Sequence, residues 1–142
     1  MFLIPILAHS EPSAKETYDL MSPNEKSASR AVVYYRGTVS QAYYCMAAFP
    51  KLSEETSNSL LKFQEKFSTR YEKAFLQLMQ IIQTKPDPKF ALNDHLNRIH
   101  NSEKGRLGLI NFPSMPEMSE ICYQFAKEPQ TLIELSYEYM GK

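Results

Sequence analysis

Three histidines, two cysteines and a scatter of serines and carboxylates are the side chains with chemistry to offer. His95 and His100 are five residues apart, so on one helix they diverge by about 140°. A helical zinc pair uses a spacing of four, which places both imidazoles on one face. Asp94 and Glu103 lie near, but only a bent segment would gather them with the histidines, and His9 is remote. Ligand number and spacing both fall short of a metal site. The expectation is a helix with one inward and one solvated histidine, holding no metal and no cofactor.

Cys45 and Cys122 stand among apolar neighbours. A nucleophilic thiol needs a base or positive charge to lower its pKa, and apolar burial does the reverse. The pair therefore reads as buried thiols or as one long-range disulfide, Cys45–Cys122. Which of the two holds depends on the compartment, since the bond persists after export and stays open in a reducing cytosol. No serine lies in a nucleophile-elbow sequence. Acidic residues gather at expected helix starts, as in Glu54-Glu55 and at Glu117 and Glu120, where capping and the helix dipole account for them. Gly105-Arg106-Leu107-Gly108 matches neither a phosphate loop nor a dinucleotide fingerprint, and Lys104 and Arg106 are expected in a solvated loop. No catalytic residue is assigned.

The least ordinary pattern is two tyrosine pairs, Tyr34-Tyr35 and Tyr43-Tyr44, with Arg36 between them. Consecutive helical residues point about 100° apart, so neither pair can face one core. Tyr35 and Tyr43 are expected toward the apolar stripe, and Tyr34 and Tyr44 toward helix boundaries or the surface. Aromatic side chains with arginine are enriched at interface hot spots. Tyr34, Arg36, Tyr44 and Phe49 are accordingly the candidate binding residues.

Helices must position these groups, because apolar residues recur at steps of three and four and alternating runs are nearly absent. Ser10, followed by Glu11 and Pro12, reads as the cap of a short helix running to about Met21, with Tyr18 and Leu20 inward. Ser22-Pro23-Asn24-Glu25 is a capping box, in which Ser22 and Glu25 each accept from the other's amide. Ala28, Val32, Tyr35, Val39, Ala42, Met46 and Phe49 form one stripe on the helix that follows, and Ala31, Tyr34, Thr38, Cys45 and Ala48 a second. Pro50 ends this helix, and Gly37 within it suggests close approach by another helix. Ser53 opens the next, with Leu60, Phe63, Phe67, Tyr71, Ala74, Leu78 and Ile81 along one face, widened by Leu61, Phe75 and Ile82.

After Lys85-Pro86-Asp87-Pro88, a shorter helix carries Ala91, Leu92, His95, Leu96 and Ile99. Gly105 and Gly108 mark a loop or helix end, and residues 107–112 could be extended. Ser114-Met115-Pro116-Glu117 repeats the capping pattern ahead of Met118, Ile121, Cys122 and Phe125. Pro129 restarts the chain, and Leu132, Leu135 and Tyr139 form the last stripe, with Gly141 just beyond.

The fold class is all-α. Residues 1–142 form a single-domain helical bundle of five or six helices. It is built on a long antiparallel hairpin (about 23–49 and 54–83), with shorter C-terminal helices. A chain of 142 residues can bury about two-thirds of its unfolded surface, enough for a core. Its first residues, 1–10, are an apolar lead-in or the remnant of a truncated signal, lacking a basic start and broken by Pro5.

Sixteen basic residues balance sixteen acidic ones, and the charges are mixed along the chain. A dedicated nucleic-acid binder needs a basic excess for phosphate neutralisation, so that class is disfavoured. No apolar run approaches the ~20 residues of a membrane span. Nine tyrosines and seven methionines suit a core and an interaction surface alike. These features point to a non-enzymatic helical protein-binding module of the inhibitor, immunity, adaptor or chaperone type. The alternative is an enzyme or small-ligand carrier with a pocket inside the bundle. The expected partner is another protein, self-association is allowed, and the cytoplasm is slightly favoured over export.

Overall fold

A computed structural model describes residues 13–107 and 117–142 of the chain. The N-terminal lead-in, His9, the Ser10 cap, most of the 107–112 segment and residues 114–116 of the third capping motif lie outside the described residues.

Among the described residues six α-helices follow one another: α1 (Ala14–Asp19), α2 (Pro23–Ala48), α3 (Ser53–Gln83), α4 (Pro88–Arg106), α5 (Met118–Lys127) and α6 (Pro129–Met140). Helices α2 and α3 form the expected antiparallel hairpin. The chain turns between them through Phe49 and a single 3₁₀ turn, Pro50–Leu52, that runs straight into α3. Proline sets these boundaries. Its ring excludes the helical conformation from the preceding residue, yet its fixed φ and missing N–H suit a first turn. Pro23, Pro88 and Pro129 accordingly each begin a helix.

Local capping follows the sequence in part. Ser22 Oγ accepts from the amide of Glu25 at 3.1 Å, and Asp87 Oδ1 accepts from that of Phe90 at 3.1 Å. The reciprocal half of the first capping box is absent, because the Glu25 side chain is buried against α4 instead. Ser13 rather than Ser10 caps α1, accepting from the amide of Glu16 at 3.2 Å. Helix α4 runs longer than its apolar stripe suggests: Gly105 lies in its last turn, and Arg106 is its final residue.

The core is centred on the hairpin. One part gathers Ala31, Tyr35, Ala42, Leu60, Phe63 and Phe67 from α2 and α3 with Phe125 of α5 and Met140 of α6. The other packs Ala28, Val32, Leu78 and Ile82 against Ile99 of α4, and Tyr71 and Ala74 adjoin both parts. Burying a side chain such as Phe63 contributes about 1.5–3 kcal/mol.

Several expected inward residues face solvent. Tyr18, Tyr43, Leu61, Phe75, Leu96 and Leu135 are exposed, as is Leu20 at 81 %. In α6 the inward positions next to Leu135 and Tyr139 are taken by Ser136 and Met140. A stripe two residues wide has two flanks, and only the neighbouring helices determine which flank is covered.

Cys45 and Cys122 are joined. Both are fully buried, with Cα atoms 5.3 Å apart, and the bond closes a separation of 77 residues. It ties the last turn of α2 to α5. Beside it, Lys127 pairs with Glu55 at 2.7 Å, joining α5 to the start of α3. No helix among the described residues is long and apolar enough to cross a membrane.

Candidate functional site

The buried chemistry centres on His95. As the helical spacing requires, His95 points inward and His100 outward. His95 Nε2 lies 3.0 Å from Glu25 Oε1, and its Nδ1 lies 3.3 Å from Ser29 Oγ. Lys85 Nζ reaches the other Glu25 oxygen at 2.6 Å. Burial alone would raise the Glu25 carboxyl pKa. The hydrogen bonds and positive charges of Lys85 and His95 outweigh it, leaving Glu25 below the ordinary carboxylate range. An ionised carboxylate only accepts, so Nε2 carries a proton.

A serine, an imidazole and a carboxylate in line have the order of a catalytic triad. The setting lacks a substrate route. Glu25, Lys85 and His95 border a cleft of about 280 Å³, but Ser29 does not line it and is 3 % exposed. The cluster instead locks the start of α2 to α4 and to the α3–α4 turn. Of the acids near the histidines, Asp94 is held by Arg98 at 3.1 Å and Glu103 lies 4.0 Å from Arg36. No group of three metal-ligating residues converges among the described residues.

The second polar centre is Arg106, which lies folded against α2 rather than in a solvated loop. Its Nη1 donates to the Tyr34 carbonyl at 3.0 Å and to Thr38 Oγ1 at 2.7 Å, and its Nη2 donates to Gln41 Oε1 at 2.9 Å. Gln41 Nε2 returns a bond to the Arg106 carbonyl at 3.1 Å. Gly37 makes room, since a Cβ there would stand 2.8 Å from Arg106 Cδ. The close approach expected at this glycine is thus made by one side chain of α4. Burial pushes the Arg106 pKa down, and the Tyr34 and Tyr139 hydroxyls oppose this. Arginine remains charged throughout the accessible range.

Arg106 belongs to an aromatic stack. The Tyr34 and Tyr139 rings lie parallel, 4.3 Å apart, with Arg106 5.0 Å from the Tyr34 centroid and Arg30 4.8 Å from that of Tyr139. Ser136 donates to the Leu132 carbonyl at 2.6 Å, so the Tyr34 hydroxyl donates to Ser136, at 2.8 Å. The stack holds α2, α4 and α6 in register.

From Arg30 the surface opens into a cleft of about 600 Å³ between α2, α3 and the end of α6. Lys26, Arg30, Arg70, Lys73 and Lys142 border it, with Glu138 as its acidic side chain. Five of sixteen cations thus meet one of sixteen acids in a chain of zero formal charge. Arg30 spans 3.4 Å to Glu138, and Arg70 donates to the Gly141 carbonyl at 2.7 Å. Tyr18 and Tyr139 supply aromatic faces beside these cations.

The four candidate binding residues do not form one surface. Tyr34 is built into the stack. Arg36 points to another face, into a cleft with Tyr35, Gln64 and Glu103. Tyr44 is 36 % exposed farther along α2, and Phe49 is the partly buried residue that ends it. At about 100° per residue, positions 34, 36 and 44 point around the helix rather than along one side. Sequence reasoning missed the basic cleft, although Lys26 with Arg30 and Arg70 with Lys73 have the four- and three-residue spacings of shared helix faces. It also missed the role of Arg106, for which the buried Gly37 was the available signal. Compared with known protein families, with curated proteins and with solved structures, the chain finds no match.

Proposed function

We propose that the chain is a non-enzymatic binding protein whose basic cleft engages an acidic segment of another protein. The observation that carries this reading is the charge segregation around Lys26, Arg30, Arg70 and Lys73 in a chain with no net charge. Opposed charges steer encounter and set specificity more than they add affinity. Each exposed pair contributes about 0.2–1 kcal/mol, so four pairs suit a reversible, salt-sensitive contact. Tyr18 and Tyr139 add apolar area beside the cations, as interface anchors do. The inaccessible Ser29, which does not line the cleft beside His95, favours binding over triad catalysis there.

The test is fluorescence anisotropy with a labelled peptide rich in Asp and Glu beside one of equal length with the amides Asn and Gln. The acidic peptide should bind, and binding should weaken steeply as salt rises. The double variant Arg70→Glu/Lys73→Glu should lose at least about tenfold in affinity. Equal binding of both peptides, or an unchanged Kd in the variant, would count against the proposal.

A further inference from the structure

Arg106 has a second property, which does not depend on the cleft cations Arg70 and Lys73, although its recess shares Arg30, Glu138 and Tyr139 with that cleft. A guanidinium has five N–H donors. The Tyr34 carbonyl, Thr38 and Gln41 accept three of them. Nε–H and one Nη2 hydrogen have no acceptor among the described residues, and Nε and Nη2 share one edge of the guanidinium. No carboxylate among the described residues forms an ion pair with this arginine; Arg30, Arg36 and Arg98 each have one, and the exposed Arg70 donates to the Gly141 carbonyl instead. Arginine is the side chain best matched to a carboxylate by such two-donor edges. A charge set into a fold in this way is costly without a counter-charge.

The surroundings indicate what the counter-charge is attached to. Arg106 borders a recess of about 500 Å³ with Val33, Tyr34, Leu135 and Tyr139, and with Ser102 and the Arg30–Glu138 ion pair. Val33, Leu135 and the two tyrosine rings give this space apolar and aromatic surface beside Arg106, while Glu138 is held by Arg30 at 3.4 Å. Leu135, exposed at 60 %, stands at its border as an unburied apolar side chain. We infer that this recess binds a small organic carboxylate with an apolar or aromatic body, its carboxylate seated on the Nε–Nη2 edge of Arg106. Tyr34, Thr38 and Gln41 hold the guanidinium in place, so little side-chain freedom remains to be lost on binding.

The experiment is NMR titration of the full chain, following the arginine Nε–H resonances, with that of Arg106 assigned by its loss in Arg106→Lys. The probes are phenylacetate, octanoate, phenylacetamide and inorganic phosphate, at constant ionic strength. Phenylacetate or octanoate should shift the Arg106 signal saturably. The neutral amide and phosphate should each bind at least about tenfold more weakly, since one lacks the charge and the other the apolar body. Arg106→Lys keeps the charge but loses the two-donor edge, and should cost about tenfold. Because that variant also removes helix contacts, Leu135→Asp supplies a second check at an exposed position. It replaces none of the Arg106 acceptors and should weaken carboxylate binding at least about tenfold, by adding an acid to the border where Glu138 is already paired with Arg30.

No saturable shift with either carboxylate, an equal response to the amide or to phosphate, or undiminished binding by Leu135→Asp would each overturn the proposal. Loss of acidic-peptide binding on Arg70→Glu/Lys73→Glu with carboxylate binding retained would leave it standing, so the two sites are separable.

Discussion

Opening the Cys45–Cys122 bond should remove about 4.5 kcal/mol of stability, the loop-closure entropy for a separation of 77 residues at 25 °C. The bond encloses all of α3 and all of α4, so once it is open the unfolded chain regains the freedom of more than half its length. Domains of this kind have net stabilities of about 5–15 kcal/mol, so the bridge supplies a large share. With an unfolding entropy of about 2.1 cal/mol/K per residue over 142 residues, the loss corresponds to a fall of about 15 °C in Tm. The assay is urea denaturation, followed by circular dichroism, of the oxidised chain, the chain reduced while unfolded and refolded in reductant, and the variant Cys45→Ala/Cys122→Ala. Reduction isolates the loop effect, whereas the double variant adds roughly 1 kcal/mol per site for lost packing. Since both sulfurs are fully buried, reductant without denaturant should act slowly. Unfolding free energies of oxidised and reduced protein agreeing to within about 1 kcal/mol would refute the reasoning, because the unfolded chain would then gain little freedom from opening the loop.

Glu25→Gln should cost about 3 kcal/mol at neutral pH, because Lys85 and His95 lose their shared counter-charge. The wild-type Glu25 pKa lies below that of a free glutamate, so its contribution is complete above the free value and is lost as pH falls through the lowered folded-state pKa. Denaturation midpoints of the two proteins should therefore converge on acidification, and a gap of constant size would exclude this linkage. Gly37→Ala should destabilise by about 1–3 kcal/mol despite alanine's better helix propensity, since the new Cβ meets Arg106 Cδ at 2.8 Å. A raised Tm for that variant would show that the arginine moves aside freely. Thermal melts should also separate Ser22→Ala, which loses one cap bond worth about 1 kcal/mol, from Phe63→Ala, which empties a fully buried site at about 3–5 kcal/mol.

Periodicity and punctuation were enough to read the helices from the sequence. A three-and-four spacing of apolar residues belongs to one helix, and proline acts on its immediate neighbours, so both signals are local. The α2–α3 hairpin, the inward His95 and the helix starts at Pro23, Pro88 and Pro129 follow from them. Charge totals are equally legible, but a balance of sixteen against sixteen says nothing about where the charges meet. Lys26 and Arg30 lie on α2, Arg70 and Lys73 on α3, and only the pairing of those helices makes their separate faces one cleft.

Tertiary structure also decided the use of individual polar groups. Glu25 has the local signature of a capping residue, yet it turns to His95 and Lys85 because burial there makes an unpaired imidazole and ammonium costlier than an uncapped amide. Arg106 has the neighbours of a loop residue, yet Gly37, Thr38 and Gln41, distant in sequence, give it a groove and acceptors. The sequence by itself determined which segments are helical, because that preference resides in a few consecutive residues. The packed chain alone decided which flank of each helix is covered and which charges converge, because those depend on contacts between residues dozens of positions apart.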